Sequence, residues 1–367
     1  MMMWCLVATV LAPANDIDTR VNASLAKLSL KEKIALIGGT GFSIRPMPSI
    51  GLPEIRMADG PVGVRNFGPT TAYPAGVALA ATFNPGLAKK FGEGIARDAV
   101  ARNVQIWLAP GVNLSRVPQN GRNFEYLGED PLLAGDMAVQ IVKGVQGGGV
   151  VATIKHYAAN EHEADRNRDS SVVDERTMRE LYLRPFERAV KEANVGAFMC
   201  SYNLINGIYA SEHDWLQNQV LKKQWGFKGL IMSDWGATHN AERAAIGGLD
   251  LEMPTGAHFN ERNLVPLIES GKVPLSVIDE KLLAAIDPVQ IREAIGNLIS
   301  NAIKYTPNGG TISVSLRTEG AQIVFSVTDT GYGIPKEAFD KLFQPFYRVP
   351  QTRRIAEGTG LGLKKKK

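Results

Sequence analysis

Short apolar segments alternate with amphipathic stretches from about residue 20 to residue 286. The strand-like segments read EIRMADG, QIWLAPG, VVATIKH, GAFMCSY, GLIMSDW and GGLDLEM. Apolar residues recur at helical spacing in LSLKEKIALIG, NPGLAKKFGEGIARDAVARN and ERTMRELYLRPFERAVKEA. Near-continuous apolar strands that alternate with helices predict a parallel sheet covered by helices.

Polar side chains stand where each apolar run ends. They are Asp59, Asn113, Lys155 with His156, Tyr202, Asp234 and Glu252. In a (β/α)8 barrel the carboxyl ends of many strands build one active site, whereas a doubly wound sheet binds ligands mostly at one switch point. The sequence shows no Gly-rich dinucleotide turn. It therefore predicts an α/β fold of the (β/α)8, or TIM, barrel type for residues 16–286.

The pattern changes after Ile286. DPVQIREAIGNLISNAIKYTPNGG predicts a helix that begins at Asp287 and Pro288 and ends before Pro307. TISVSLRT and QIVFSVTDTG then alternate as two antiparallel strands. We place a domain boundary near 286–287, with a small α+β region over residues 287–363 and a lysine tail over residues 364–367.

Charge and length limit the classes of function. The 367 residues suffice for one large domain and a smaller one. The formal net charge of +4 equals the charge of the four terminal lysines, which we interpret as an appended tail or truncation remnant. A nucleic-acid partner is therefore not expected. The two cysteines, Cys5 and Cys200, predict neither a disulfide nor a metal site.

The N-terminal segment leaves the localisation open. MMMWCLVATVLAPAN contains an apolar run and an Ala12-Pro13-Ala14 that resembles a cleavage site, but no Lys or Arg precedes the run. If residues 1–15 are a signal remnant, the protein is secreted or periplasmic; otherwise it is cytoplasmic. No later apolar run is long enough for a transmembrane helix, so no membrane partner is expected.

Five longer motifs stand in this part of the sequence: MADGPVGVR, GRNFEYLGEDP, KHYAANEHE, MCSYN and GFKGLIMSDWGA. Together they resemble glycoside hydrolase family 3, the β-glucosidase-like retaining enzymes. The resemblance covers residues 16–286 and implies a (β/α)8 barrel that hydrolyses β-D-glucosides or short β-glucan oligosaccharides without a cofactor or metal. A retaining glycosidase needs a carboxylate that attacks the anomeric carbon and an acid that protonates the leaving oxygen.

The resemblance assigns roles to residues of this sequence. Asp234, in the Ser-Asp-Trp motif, would be the nucleophile, and Trp235 would form a platform under the sugar ring. The alternative for Asp234 alone is an N-cap of the following helix. Asp59 would accept hydrogen bonds from two sugar hydroxyls. The remaining sugar-binding residues would be Arg65, Arg122, Lys155, His156, Arg166, Met199 and Tyr202. Charge-assisted hydrogen bonds suit a hydroxyl-rich ligand, although any of these basic residues alone would also fit a solvated surface.

The acid/base is not assigned by the resemblance. Most β-glucosidases of the family take it from a second domain, for which this sequence has no counterpart. A branch that acts on N-acetylglucosaminides uses a His and an Asp on the loop after the Lys-His strand. His162, Glu163 and Asp165 lie on that loop here, and a homodimer partner would be another source. The alternatives are a sugar-binding barrel without turnover and a glycoside phosphorylase or transglycosidase.

Residues 287–363 contain four motifs in order: NLISNAIKYT, DTGYGIP, KLFQPFYR and GTGLGL. They resemble the N box, first glycine box, Phe box and second glycine box of the GHKL-type ATP-binding domain of sensor histidine kinases. In that family Asn301 would hold Mg²⁺, Lys304 and Tyr305 would approach the nucleotide, and Asp329 would bind adenine. Glycines that bring the backbone close to the nucleotide would be Gly331, Gly333, Gly358, Gly360 and Gly362.

We interpret this second region as a fragment without the phosphoacceptor-His hairpin and the closing strands of a kinase. Mg-ATP binding is therefore a hypothesis, phosphotransfer is not expected, and packing against the barrel is the alternative. Because the two resemblances concern unrelated families, we interpret the chain as a fusion, or chimera.

Overall fold

The computed structural model describes residues 10–12, 24–284, 302–303, 305–319 and 322–332. The chain divides into two compact units, Ala23–Val289 and Met1–Asn22 with Gln290–Lys367. The division lies close to the boundary that the change of sequence pattern indicates at 286–287. Of the predicted N-terminal segment 1–15, the structure describes only Val10–Ala12.

Strands and helices alternate along the larger unit, and β1, β11 and β12 belong to the smaller one. In chain order the strands are β1 (Val10–Ala12), β2 (Ser43–Ile44), β3 (Ile55–Asp59), β4 (Ile106–Leu108), β5 (Val151–Tyr157), β6 (Ser170–Ser171), β7 (Ala197–Cys200), β8 (Leu204–Ile205), β9 (Ile208–Tyr209), β10 (Leu230–Met232), β11 (Ile312–Glu319) and β12 (Gln322–Asp329). The α-helices are α1 (Leu30–Leu36), α2 (Gly76–Ala80), α3 (Pro85–Ala101), α4 (Pro131–Gly147), α5 (Glu175–Thr177), α6 (Arg184–Ala193), α7 (Ala241–Gly247) and α8 (Glu261–Glu269). The chain also has two π-helices, Met178–Tyr182 and Trp215–Gln224, and two 3-10 turns, Pro48–Ile50 and Ala210–Glu212. Residues 275–284 are helical as well.

The main sheet has six strands in the order β10-β7-β5-β4-β3-β2. Neighbours from β3 to β10 are parallel, and β2 is antiparallel to β3. Isolated parallel bridges join Met232 to Leu251 and Glu252 to Gly38, so GGLDLEM pairs without forming a longer strand. The predicted α/β class with a parallel sheet is confirmed, while closure into eight strands stays a prediction.

The sheet is buried on both faces. All seven residues of β5 are buried, as the near-continuous apolar pattern indicates. Helices α3 and α4 pack closely because glycines face each other: a Cβ at Gly92 would lie 2.4 Å from the carbonyl oxygen of Ile141. A Cβ at Gly144 would lie 2.3 Å from the carbonyl oxygen of Lys89. These two glycines therefore permit a backbone approach that any larger residue would prevent.

Helix ends follow local sequence signals. Ser29 and Glu32 form a capping box at the start of α1. Asn84 and Asp130 cap α3 and α4, each followed by proline at the first helical position.

The segment ERTMRELYLRPFERAVKEA, predicted as one helix, is interrupted. Leu183 donates its N–H to the carbonyl oxygen of Met178 at 2.8 Å, which is a π-helical bond, before α6 begins. Pro185 has no N–H and stands at the start of α6, so the regular ladder cannot run through it.

In the smaller unit, β11 and β12 pair antiparallel from Ile312–Asp329 to Glu319–Gln322, which confirms the predicted hairpin. β1 adds to the free edge of β12, with Val10 opposite Phe325. Most of the helix predicted after Asp287 lies outside the described residues. Among the residues that are described, no helix is both long and apolar enough to cross a membrane.

Candidate active site

The carboxyl ends of four parallel strands bring the predicted polar residues to one edge of the sheet. Asp59 is the last residue of β3, and Lys155 and His156 lie in the second half of β5. Tyr202 follows β7, and Asp234 follows β10. Since these strands run parallel in one sheet, their carboxyl ends lie at the same edge.

Asp59 forms ion pairs with two basic side chains. The Nζ of Lys155 lies 2.9 Å from Oδ1, and Nη2 of Arg65 lies 2.6 Å from Oδ2. The Lys155 side chain is 4% exposed and that of Arg65 is 69% exposed. Burial alone would raise the pKa of Asp59, but the Lys155 ammonium and then Arg65 outweigh it and hold this pKa below its usual value. Asp59 is therefore ionised and aligned as an acceptor.

Asp234 is a buried carboxylate, with 7% of the residue exposed. Its Oδ1 accepts the backbone N–H of Trp235 at 2.7 Å, and Oδ2 lies 3.7 Å from Nε2 of His156. Burial raises the pKa of Asp234, and the nearby cations Lys155 and Arg122 offset this only in part. The following helix α7 is capped by Asn240 and not by Asp234. The capping alternative for Asp234 is thus wrong for this helix.

Arg122, a cation near Asp234, contacts two other buried side chains. Its Nε contacts the carboxylate of the buried Glu125, and its Nη2 lies 2.8 Å from Nε2 of His156. Burial alone would lower the pKa of Arg122, but the Glu125 carboxylate raises it above its usual value. His156 is fully buried, and burial together with Arg122 and Lys155 lowers its pKa well below the usual value. The imidazole is therefore neutral between charged neighbours.

Tyr202 and Arg166 form a second wall. The guanidinium of Arg166 lies 3.9 Å from the ring centroid of Tyr202, and its Nη1 lies 2.5 Å from Oε2 of Glu163. The Tyr202 hydroxyl donates to the carbonyl oxygen of Trp235 at 3.2 Å. Burial and the nearby Asp234 carboxylate raise the pKa of Tyr202, so the phenol stays neutral. Arg166 is thus joined to the Asp234 region through Tyr202.

Trp235 and Met199 supply the apolar surface. The Trp235 ring is partly exposed and packs against Phe42, with centroids 4.9 Å apart. Met199 is 2% exposed and lies in β7 opposite Met232 of β10. Phe42 was not predicted from the sequence, because a lone aromatic residue in the loop before β2 carries no periodic signal.

The loop after β5 holds the acid/base candidates. Nε2 of His162 lies 2.6 Å from Oδ2 of Asp169, and the two side chains are about half exposed. Glu163 is paired with Arg166, and Asp165 is exposed. Asp169 was missed by the sequence analysis, because only the fold of the loop reveals that it faces His162.

Glu161, at the start of this loop, was also missed. Its Oε1 accepts the backbone N–H of Leu114 at 3.2 Å, and 9% of the residue is exposed. Burial raises the pKa of Glu161 to about 7.

The predicted nucleotide-binding residues fall only partly on the described chain. Asp329 Oδ1 accepts the N–H of Gly331 at 2.8 Å, and the carbonyl oxygen of Tyr305 accepts the N–H of Tyr332 at 3.1 Å. Outside the described residues lie Asn301, Lys304, Gly333, Gly358, Gly360 and Gly362. Within the residues whose placement is described, no group of three or more His, Cys, Asp or Glu side chains is arranged to hold a metal ion.

Two family models match the chain. The glycosyl hydrolase family 3 N-terminal domain matches residues 44–285. The histidine kinase-, DNA gyrase B- and HSP90-like ATPase family matches residues 286–365.

Relatives are similar over most of the chain. A beta-glucosidase of Rhizobium radiobacter is 39% identical over 328 residues, which are 87% of this chain and 40% of the relative. Beta-glucosidase B of Emericella nidulans is 44% identical over 269 residues, 71% of this chain and 32% of the relative. The structure of beta-glucosidase 3B from Thermotoga neapolitana in complex with glucose superimposes with a TM-score of 0.71 at 37% identity, over 74% of this chain and 42% of that one. The chain thus spans less than half the length of these relatives, and it belongs to glycosyl hydrolase family 3.

Proposed function

We propose that this protein is a retaining glycoside hydrolase of the β-glucosidase type, with Asp234 as the nucleophile of a (β/α)8 barrel. One observation carries the proposal: a buried carboxylate with a raised pKa stands at the sheet edge beside the ionised Asp59–Lys155 pair. The fold leaves this carboxylate poorly solvated, so its negative charge costs free energy. Formation of a neutral ester removes that cost. The relatives named as beta-glucosidases support the same substrate class.

The two oxygens of Asp234 have different partners, which favours one of them as the attacking atom. Oδ1 accepts the backbone N–H of Trp235, whereas Oδ2 accepts no backbone N–H among the described residues and lies 3.7 Å from His156 Nε2. In the proposed first step Oδ2 bonds to the anomeric carbon, the bond from that carbon to the leaving oxygen breaks, and an acid protonates the leaving oxygen. Water then hydrolyses the ester and restores the carboxylate.

The sugar would lie between the charged and the apolar walls. Asp59 would accept hydrogen bonds from two sugar hydroxyls, and Trp235 and Met199 would contact the sugar ring. The other residues proposed to bind hydroxyl groups are Arg65, Arg122, Lys155, His156, Arg166 and Tyr202. This hydrolysis requires neither a metal nor a cofactor, because carboxylates and a proton donor suffice.

His162 is the acid/base candidate that the geometry favours. Its 2.6 Å contact with Asp169 orients the imidazole, and an Asp partner suits a His that must exchange a proton. Glu163 is already paired with Arg166, which leaves it less free to donate. We expect His162→Ala to slow aryl β-glucosides with poor leaving groups by about 10²–10⁴-fold and to spare activated ones. Glu163→Gln is the matched control. An equal loss on both substrate types would move the acid to another group, such as one from a partner subunit.

The direct test of the function is hydrolysis of an activated aryl β-glucoside. The wild-type protein should release the phenol, and Asp234→Asn should reduce the rate by about 10³-fold or more. Rates that require phosphate would indicate a phosphorylase. Glucose binding without any release would favour the sugar-binding alternative.

A second glycone is favoured by one observation. Relatives named exo-alpha-(1->6)-L-arabinopyranosidase, from Bifidobacterium breve and Bifidobacterium longum, are each 38% identical over 72% of this chain. An aryl α-L-arabinopyranoside should therefore be assayed beside the glucoside.

For the smaller unit we propose nucleotide binding as a separate hypothesis, supported by the match of residues 286–365 to the ATPase family. Asp329 and Gly331 would meet the base. A thermal shift with Mg-ATP but not with glucose would support it. No shift with Mg-ATP would favour a packing role for this unit.

A further inference from the structure

The side chain of Asn113 is fixed in orientation by the backbone of His156. The backbone N–H of His156 points at Oδ1 of Asn113 with a 2.7 Å N···O distance. Nδ2 of Asn113 lies 2.9 Å from the carbonyl oxygen of His156. A backbone N–H can only donate and a carbonyl oxygen can only accept, so the assignment of the amide oxygen and nitrogen is unambiguous.

This orientation dictates which ring nitrogen of His156 carries the proton. Nδ1 lies 3.2 Å from Oδ1 of Asn113, and an amide oxygen has no hydrogen to give. On the other side of the ring, Nε2 lies 2.8 Å from Nη2 of Arg122, and a guanidinium can only donate. Both contacts require hydrogen on Nδ1 and a lone pair on Nε2.

We propose that Asn113 is a positioning residue: it holds His156 as the neutral Nδ1–H tautomer, so that the Nε2 lone pair fixes Arg122 beside Asp234. The 3.7 Å approach of His156 to Asp234 is then not an ion pair, because the unprotonated Nε2 faces the carboxylate. Asn113 does not act on Asp234 directly. It acts through His156 and Arg122, whose positive charge partly offsets the effect of burial on the nucleophile.

The surroundings of His156 agree with a neutral ring. Asn113 is 1% exposed and His156 is fully buried, so water cannot substitute for either amide contact. The Tyr126 ring and the imidazole pack in a T-shaped arrangement, with centroids 6.2 Å apart. The charged and titratable groups that face the ring are Arg122, Lys155, Arg166, Asp234 and Tyr126.

The test is nitrogen NMR of the full chain labelled with ¹⁵N-histidine, with the His156 signals assigned by comparison with His156→Gln. We expect Nδ1 to be the protonated nitrogen and Nε2 to be the bare one, unchanged between about pH 5 and pH 8. Protonation at Nε2, or an imidazolium in that range, would overturn the inference.

Variants separate a positioning role from a merely structural one. Asn113→Leu removes both amide groups and should abolish the preference for the Nδ1–H tautomer, whereas Asn113→Asp keeps an acceptor for Nδ1–H and should retain it. Asn160→Leu is the matched control, because Asn160 is 2% exposed and its side-chain atoms have no hydrogen-bond partner among the described residues. The proposal would be contradicted if Asn113→Leu kept the preference of His156 for the Nδ1–H tautomer. It would also be contradicted if Asn113→Asp or Asn160→Leu lost this preference. If Asn113→Leu does not fold, the wild type and Asn113→Asp still decide it.

The catalytic consequence rests on the proposed function. Asn113→Leu should slow formation of the glycosyl-enzyme by about 10–100-fold, taking as a guide the effect of removing a partner that orients a metal-ligating histidine. Asn113→Asp should recover part of that loss. The tautomer is measured without turnover, so the failure of the glycosidase proposal and the failure of this inference give different results.

Discussion

At the scale of single residues, the environment of Asp234 sets the balance between stability and reactivity. Burial opposes its charge, while Lys155 and Arg122 and the N–H of Trp235 partly support it. The net result is a carboxylate that is less stable in the fold than in water. The same feature that suits a nucleophile therefore reduces the free energy of unfolding.

The first prediction concerns Asp234→Asn. Because the pKa of Asp234 is raised in the folded state, the ionised group costs stability at pH values above its folded pKa, and the cost disappears below its unfolded pKa. We expect Asp234→Asn to unfold at a higher temperature than wild type at about pH 7, with a smaller difference near pH 4, while losing about 10³-fold or more in rate. Thermal unfolding at both pH values checks this. A variant less stable than wild type at neutral pH would contradict it.

The second prediction concerns Glu161→Gln. Burial raises the pKa of Glu161 to about 7 from 4.5, so wild-type stability should fall as pH rises from about 4.5 to 7 and remain reduced above it. Gln keeps an oxygen for the N–H of Leu114 without the charge. We expect Glu161→Gln to be more stable than wild type by on the order of 3 kcal/mol at about pH 8 and nearly equal at about pH 4.

Urea unfolding across this pH range measures the effect, with the exposed Glu129→Gln as control. A constant difference between Glu161→Gln and wild type at all pH values would show that ionisation of Glu161 is not its cause.

Single residues show where sequence reasoning ends. Asp234, Asp59 and Lys155 were predicted because each stands in a motif at a strand exit. Asn113 was noticed as a strand exit but received no role, since its three contacts with His156 span 43 positions of sequence. Asp169 was missed for the same reason: its pairing with His162 depends on how the loop folds back.

At the scale of elements, most of the polar residues predicted from the sequence lie at the ends of parallel strands. Periodicity located β3, β4, β5, β7 and β10 because strands buried on both faces are apolar throughout. Glu252, also predicted at a strand exit, has a different use. Its carboxylate accepts the N–H groups of His258 and Phe259 and so holds a loop, a role that position relative to a strand cannot reveal.

The third prediction compares how much a buried and an exposed ion pair to Asp59 contribute to the free energy of unfolding. Lys155 joins β5 to β3 inside the sheet edge, while Arg65 reaches the same carboxylate from solvent. Lys155→Met leaves a largely buried charge with one exposed partner and should lower the free energy of unfolding by about 3–5 kcal/mol. Arg65→Met should cost about 1 kcal/mol or less.

Urea denaturation of both variants near neutral pH compares them directly. Equal losses would show that the Lys155–Asp59 contact does not join the strands as the structure indicates. In Lys155→Met the pKa of Asp59 should also rise, because the principal cation that lowers it is gone.

At the scale of the whole molecule, the chain combines two units whose family matches are unrelated. The motifs of the larger unit predicted its family and its α/β sheet. The smaller unit was predicted as an α+β fragment, and the antiparallel hairpin β11–β12 is the part that the structure confirms. The proposed acid/base was not predictable, because the motifs cover the proposed sugar-binding residues, whereas the candidate His162 is identified only by how the loop after β5 folds.

The most direct test of the central claim is the intact mass of the protein after incubation with an activated 2-deoxy-2-fluoro-β-glucoside, followed by peptide mapping. The good leaving group needs no acid, so the measurement isolates the nucleophile. The account predicts one fluoroglucosyl group on Asp234 in the wild type and none in Asp234→Asn. A folded wild-type protein that remains unlabelled, or a label on another residue, would contradict it.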